Sequence, residues 1–208
     1  MENICEKCGR EYKRTYCEFC VRESRWSPDK TISLFPPRLQ KDLQTLNIQL
    51  DDYSIEDVIE GKGFHLRGPT GSGKTLYAAT LTVDIIRQGV ILQRGPQRFA
   101  FVTVPDLMED LKSGFHTDKT SELLEQYRMV DWLVLDDLGV GKPTEWALGV
   151  LYLLINYRYE YLLPTVFTTN LDGDQLAEKF GDDRIPSRII AMTATKVFTK
   201  QTDYRLKN

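Results

Sequence analysis

One stretch of eight residues constrains this chain more than any other: Gly68-Pro69-Thr70-Gly71-Ser72-Gly73-Lys74-Thr75. A glycine, four free residues and then Gly-Lys-Thr is the spacing of a loop that wraps a phosphate chain. Its glycines let the backbone curl until successive N–H groups point inward at phosphate oxygens. Lys74 can then reach the outer phosphates of a nucleotide, and Thr75 offers its hydroxyl to Mg²⁺. Gly63 to Arg67 predicts a short strand ahead of the loop, and Lys74 to Gln88 predicts a helix behind it. The helix N-terminus adds partial positive charge to the phosphate site. A glycine-rich turn that matched by chance would need no such strand–loop–helix frame.

The second half of such a site is an apolar strand ending in acid. Trp132-Leu-Val-Leu-Asp136-Asp137-Leu-Gly139 supplies it. Asp136 would hold Mg²⁺, directly or through water. Asp137 stands where a base could orient the attacking water, or is a helix cap or solvated acid. Pro164-Thr-Val-Phe-Thr-Thr169-Asn170 reads as the next strand, and Asn170 polarises the water, touches the outer phosphate, or is a turn residue. Arg98–Val104 and Met192–Phe198 complete the strands. Helices are expected from Pro105, over Ser121–Met129, over Glu145–Tyr159 and over Gln175–Phe180. Strands alternating with helices imply an α/β fold, a parallel sheet with helices on both faces. Ligands of such sheets sit at the carboxyl ends of the strands, where the loop, Asp136, Asp137 and Asn170 all fall.

Upstream, Phe35-Pro-Pro-Arg38 precedes Leu39, Leu43 and Leu46 at helical spacing, and Leu50–Ile59 reads as a short helix started by Ser54 with Asp57 three residues on. All four cysteines lie in the first 20 residues, as Cys5-Glu-Lys-Cys8 and Cys17-Glu-Phe-Cys20. Each pair has the two-residue gap of a metal knuckle, and two knuckles complete a tetrahedral Cys₄ zinc site. Disulfides are the alternative, disfavoured in a reducing compartment. Four thiolates leave no open position, so the zinc would be structural, and Tyr12, Tyr16 and Phe19 are either its partner-binding surface or its own packing. The expected organisation is residues 1–24 as a zinc-binding segment, 25–61 as linker and helices, and 62–208 as the nucleotide-binding domain. With 41% hydrophobic residues and a net charge of −3, the chain is not a generally basic nucleic-acid binder. No apolar run reaches membrane-spanning length and no signal peptide is evident, so a cytoplasmic location is expected.

The motifs in this order resemble the AAA+ ATPases of the DnaC/IstB type from Phe35 to about Arg205. The resemblance rests on Val130–Gly139, Ile155-Asn-Tyr-Arg158, Pro164–Leu171, and Asp183-Arg184 with Ser187-Arg188. It implies a P-loop AAA+ sheet and an ATPase using ATP and Mg²⁺. By resemblance Asn170 is the sensor-1 residue, Arg188 the arginine finger that completes a neighbouring subunit's site, with Arg184 as its substitute, and Arg205 the sensor-2 residue. Phe35-Pro-Pro-Arg38 resembles the segment that enters near the adenine. The insertion Pro105–Met129 is where members contact single-stranded DNA, with Lys112, Phe115, His116 and Lys119 as candidates. So few residues follow the last strand that the C-terminal lid is expected to be minimal or absent.

Three functions follow. The leading one is a loader of the hexameric replicative DNA helicase that oligomerises with ATP, binds single-stranded DNA and grips the helicase through the zinc segment. The second is an IstB-like transposition helper that binds duplex DNA and recruits a transposase. The third is a zinc-containing nucleoside kinase, although the zinc site of those enzymes lies C-terminal to their phosphate loop.

Overall fold

The computed structural model describes residues 3–4, 11–12, 31–46, 48–50, 53–88, 99–114 and 120–199. Strands β1 (Asn3–Ile4) and β2 (Glu11–Tyr12) pair antiparallel, Asn3 opposite Tyr12. The zinc candidates Cys5, Cys8, Cys17 and Cys20 lie outside the described residues, as do Arg205, Phe115, His116 and Lys119. No group of three or more His, Cys, Asp or Glu suited to a metal is found among the described residues. No helix among them is long and apolar enough to cross a membrane.

The body is one parallel sheet of β3 (Gly63–Arg67), β4 (Phe99–Thr103), β5 (Trp132–Leu138), β6 (Thr165–Thr169) and β7 (Thr193–Val197), ordered β4-β5-β6-β3-β7. Around it run α1 (Pro37–Thr45), α2 (Ile55–Ile59), α3 (Lys74–Arg87), α4 (Val104–Ser113), α5 (Thr120–Met129), α6 (Glu145–Glu160), α7 (Gly173–Phe180) and α8 (Arg184–Met192). A strand covered on both faces reads as a continuous apolar run, and the alternation of its side chains shows only in the packing. On β5, Trp132 and Val134 join Tyr77, Leu81 and Ile85 of α3, whereas Leu133 and Leu135 join Leu107 and Leu111 of α4 and Leu154 of α6. The Trp132 indole N–H, fully buried, donates to Thr82 Oγ1 at 3.0 Å, so its burial leaves no orphan donor. α1 and the turn before it pack on α3 and on the edge strand: Ile32, Phe35 and Leu39 lie on Leu76, Ala79 and Val83 of α3, with Phe99 and Phe101 of β4 against them.

Element starts follow local capping chemistry. The Ser54 hydroxyl accepts from the Asp57 N–H at 3.1 Å, which begins α2. Thr103 does the same for Asp106, so α4 begins at Val104, where the sequence had predicted that the strand continues. Asp172 and Gln175 form a reciprocal capping box that opens α7. The largest departure from the sequence reading is α8. Asp182–Ile189 carried no helix prediction, yet Arg184–Met192 is helical and tolerates Pro186 because it lies in the first turn, where the missing N–H has no intrahelical partner.

Candidate nucleotide site

β6 is inserted between β3 and β5. Its C-terminal end therefore falls between the phosphate loop, which follows β3, and the acidic end of β5. Three consecutive residues there bridge the halves. Thr168 Oγ1 donates to Asp136 Oδ1, the Thr169 carbonyl accepts from Gly68 N–H at 3.2 Å, and Asn170 Oδ1 accepts from Lys74 Nζ at 2.8 Å. Asn170 Nδ2 also donates to Thr70 Oγ1 at 3.2 Å. Across the same gap Thr75 Oγ1 donates to both Asp136 oxygens, at 3.0 and 3.1 Å.

The loop has the backbone its glycines permit. Gly71 and Gly73 sit at φ 80° and 92°, conformations that side chains rarely adopt. A Cβ on Gly68 would lie 2.4 Å from the Phe198 carbonyl, so the loop runs directly against the chain leaving β7. Lys74 is buried, and its ammonium donates to the carbonyls of Gly68 and Pro69 at 2.8 and 2.9 Å as well as to Asn170. Those three acceptors are uncharged; phosphate oxygens would bind the same ammonium more strongly. Ser72 Oγ is buried without a hydrogen-bond partner among the described residues. Both observations fit an anionic ligand. Thr75 and Asp136 are the pair that could hold its Mg²⁺. Burial raises the Asp136 pKa above the ordinary carboxylate value. The Thr168 hydroxyl opposes that rise, Asp137 adds to it, and Thr75 and Lys74 oppose it. A cation bound there would favour the ionised form.

Asp137 is presented by a device the sequence does not announce. The β5–β6 register shifts between Leu135 and Leu138, a bulge, and Asp137 sits in it at φ 58°. Its N–H donates to Thr168 Oγ1 at 3.0 Å. A bulge re-aims a side chain, and aspartate tolerates the left-handed conformation better than most residues. Adjacent Asp136 and Asp137, which would face opposite sides of a regular strand, thereby line one cavity of about 280 Å³ with Lys74, Thr75, Asn170 and Thr70. Pro36, Arg38, Leu39 and Asp42 of the α1 segment form its outer wall.

Arg184 and Arg188 are not in that lining. The α8 helix places them one turn apart, 5.1 and 4.9 Å from the Tyr152 ring on α6. Arg188 Nε donates to Asn156 Oδ1 at 2.6 Å, and Arg184 is paired with Asp182. Lys112 lies 5.6 Å over the Trp146 ring. Tyr152 was not singled out from the sequence, and Thr168 and Asn156 stood in stretches that carry the resemblance without a role of their own. Thr168 had a signal, a second hydroxyl residue just before Asn170, whereas the partners of Arg188 could not be seen without α8.

The profile of the IstB-like ATP binding protein family matches residues 5–208. The chain belongs to that family. Among its relatives are the replicative helicase loader DnaI of Bacillus subtilis, 27% identical over 128 residues, and the replicative helicase loader DnaC of Escherichia coli, 26% identical over 144 residues. These matches take in 61% and 68% of this chain but only 39% and 56% of the relatives. A putative ATP-binding protein of insertion sequence IS232 from Bacillus thuringiensis is 24% identical over 208 residues, 94% of this chain and 80% of that one. The crystal structure of DnaI superposes with a TM-score of 0.60 at 26% identity, covering 82% of this chain and 97% of that one. The body is thus a P-loop AAA+ fold of this ATP-binding family.

Proposed function

We propose that this protein is an ATP-dependent loader of the hexameric replicative DNA helicase. The reading rests most on the nucleotide site in a body of which 82% superposes on the crystal structure of DnaI. Residues 62–208 act as the ATPase, 25–61 as the connector, and 1–24, held by zinc on Cys5, Cys8, Cys17 and Cys20, as the grip on the helicase. Lys74 and the loop bind the phosphates, Thr75 and Asp136 hold Mg²⁺, Asp137 orients water, and Asn170 reports the outer phosphate. ATP drives self-association and affinity for single-stranded DNA; hydrolysis releases the helicase. The nucleotide acts only through its different affinities for the two assemblies.

Arg188 lies outside its own subunit's cavity, held by Asn156 and Tyr152, which suits a finger that enters a neighbour's site. Arg188→Ala should leave ATP binding intact and lower turnover about 10³-fold or more; unchanged turnover would remove that role. The function itself is tested by mass photometry with the host's replicative helicase, with and without an ATP analogue, beside a variant lacking residues 1–24. The expected result is a nucleotide-dependent complex that needs those residues.

A transposition helper is the second reading, supported by the breadth of the match to the IS232 protein. Filaments on duplex DNA with no helicase complex would favour it.

A further inference from the structure

The wall of the nucleotide cavity that comes from α1 has no role in the site as described so far. α1 is firmly placed. Phe35, 2% exposed, packs edge-on to Phe101 of β4 at 5.2 Å and near Phe99 at 5.8 Å. Leu39 lies on α3, the helix that carries Lys74 and Thr75. The Gln40 side-chain amide donates to the Phe35 carbonyl at 2.7 Å, which ties the turn before the helix to its first residues. Pro36 and Pro37 stiffen the same turn. Arg38 projects from this anchored start into the cavity lining. It is exposed, and its guanidinium has no hydrogen bond or ion pair among the described residues. Arg38 and Lys74 are the cationic residues in that lining, against Asp42, Asp136 and Asp137.

Position within the cavity decides which part of a nucleotide Arg38 meets. The phosphate chain starts in the loop between β3 and α3. Thr75 and Asp136, which would hold Mg²⁺, lie toward β5, so the outer phosphates would be held on that side. α1 stands on that side, because Phe35 packs on β4, the neighbour of β5 at the sheet edge. Thr103, at the end of β4, lines the same cavity as Arg38. A planar guanidinium with five donors suits phosphate oxygens, and an unpaired one gives up no bond to bind them.

We infer that Arg38 binds the terminal phosphate of ATP from within the same chain, on the side of Asp136, Asp137 and Asn170 and not at the adenine end that the family resemblance had given the Phe35–Arg38 segment. This deepens the ATP-site reading above and rests on it. The triphosphate, and not the diphosphate, would then hold the start of α1, the first helix after the N-terminal segment.

Calorimetric titration of the full chain with a non-hydrolysable ATP analogue and with ADP tests this. Arg38→Ala should weaken the analogue about 10- to 100-fold and ADP less than about 3-fold. Arg38→Lys should recover part of the loss. Asp42→Ala should not weaken the analogue, because it removes a carboxylate from the same wall. Equal loss of both nucleotides, or loss of neither, overturns the inference. Thermal midpoints of the variants show whether any loss is one of folding, and among the described residues Arg38 has no hydrogen bond or ion pair whose removal should lower them. If the unaltered chain binds neither nucleotide and Lys74→Ala changes nothing, the ATP-site reading itself has failed. If the unaltered chain prefers the analogue and Arg38→Ala keeps that preference, only the role of Arg38 has failed.

Discussion

Lys74 and Arg158 are both cationic side chains buried in the same body, at opposite ends of the same sheet. Lys74, 7% exposed, follows the carboxyl end of β3 and donates to two carbonyls and an amide oxygen around a cavity. Arg158, 0% exposed, lies in the last turn of α6, ahead of β6. Its Nε donates to Thr165 Oγ1 at 2.7 Å, one terminal nitrogen to the carbonyls of Tyr127, Arg128 and Val130, and the other to the carbonyl of Pro164 at 2.9 Å. Burial lowers its pKa to about 9, with Asp131 opposing the fall, so it stays charged at neutral pH. The fork gathers carbonyls left over at the end of α5 and the start of β6, groups no helix or ladder bond can satisfy there. Nothing needs to leave when the protein works. The partners of Lys74 are the loop and strand tip that a phosphate would displace. A buried charge thus serves stability where its acceptors belong to fixed chain ends, and binding where they ring an open space.

The largest effect should come from Arg158→Ala, which strands several main-chain acceptors and should cost about 3–5 kcal/mol of stability in urea unfolding. Lys74→Ala should move the same midpoint by less than about 1 kcal/mol while weakening ATP by roughly 100-fold in equilibrium binding. If the two variants lost stability equally, the contrast between the two ends would vanish. His65 sharpens it on a smaller scale. Its side chain is buried on β3, and neither ring nitrogen has a partner among the described residues. Burial, and then Arg67, hold its pKa below the ordinary 6.5. The folded state therefore binds the proton more weakly than the unfolded chain does. Stability is full above pH 6.5 and is lost as pH falls below it. His65→Leu should flatten that acid slope by about 1 kcal/mol between pH 7 and 5, and an unchanged slope would mean that other groups set it.

The strands and most helices could be read from the sequence because phosphate-loop chemistry and apolar runs are local signals. Lys74, Thr75, Asp136 and Asn170 converge for a related reason: Lys74 and Thr75 open the helix behind the loop after β3, Asp136 lies near the end of β5, and Asn170 follows β6, all at the carboxyl ends of the strands. What escaped was non-local. Arg158 stood within a run of familial residues, but its role depends on carbonyls from Tyr127 to Pro164 that only the tertiary fold assembles. The bulge at Asp137 arises from pairing with β6, and no residue of β5 signals it. Pro186 concealed α8 because a proline breaks a helix everywhere except its first turn. Asp42 entered the cavity wall through the docking of α1 on α3, which helical spacing alone could not orient.

The tip of β6 has one more consequence. Thr168, Thr169 and Asn170 each serve a different neighbour, the Asp136 carboxylate, the Gly68 backbone and the Lys74 ammonium. Side chains alternate along a strand, so one residue added to or lost from β6 would turn each of these groups to the wrong side. The stretch from Thr165 to Asn170 is therefore a ruler as much as a set of reagents. Its chemistry can drift between hydroxyl and amide residues, but its length has to be inherited intact.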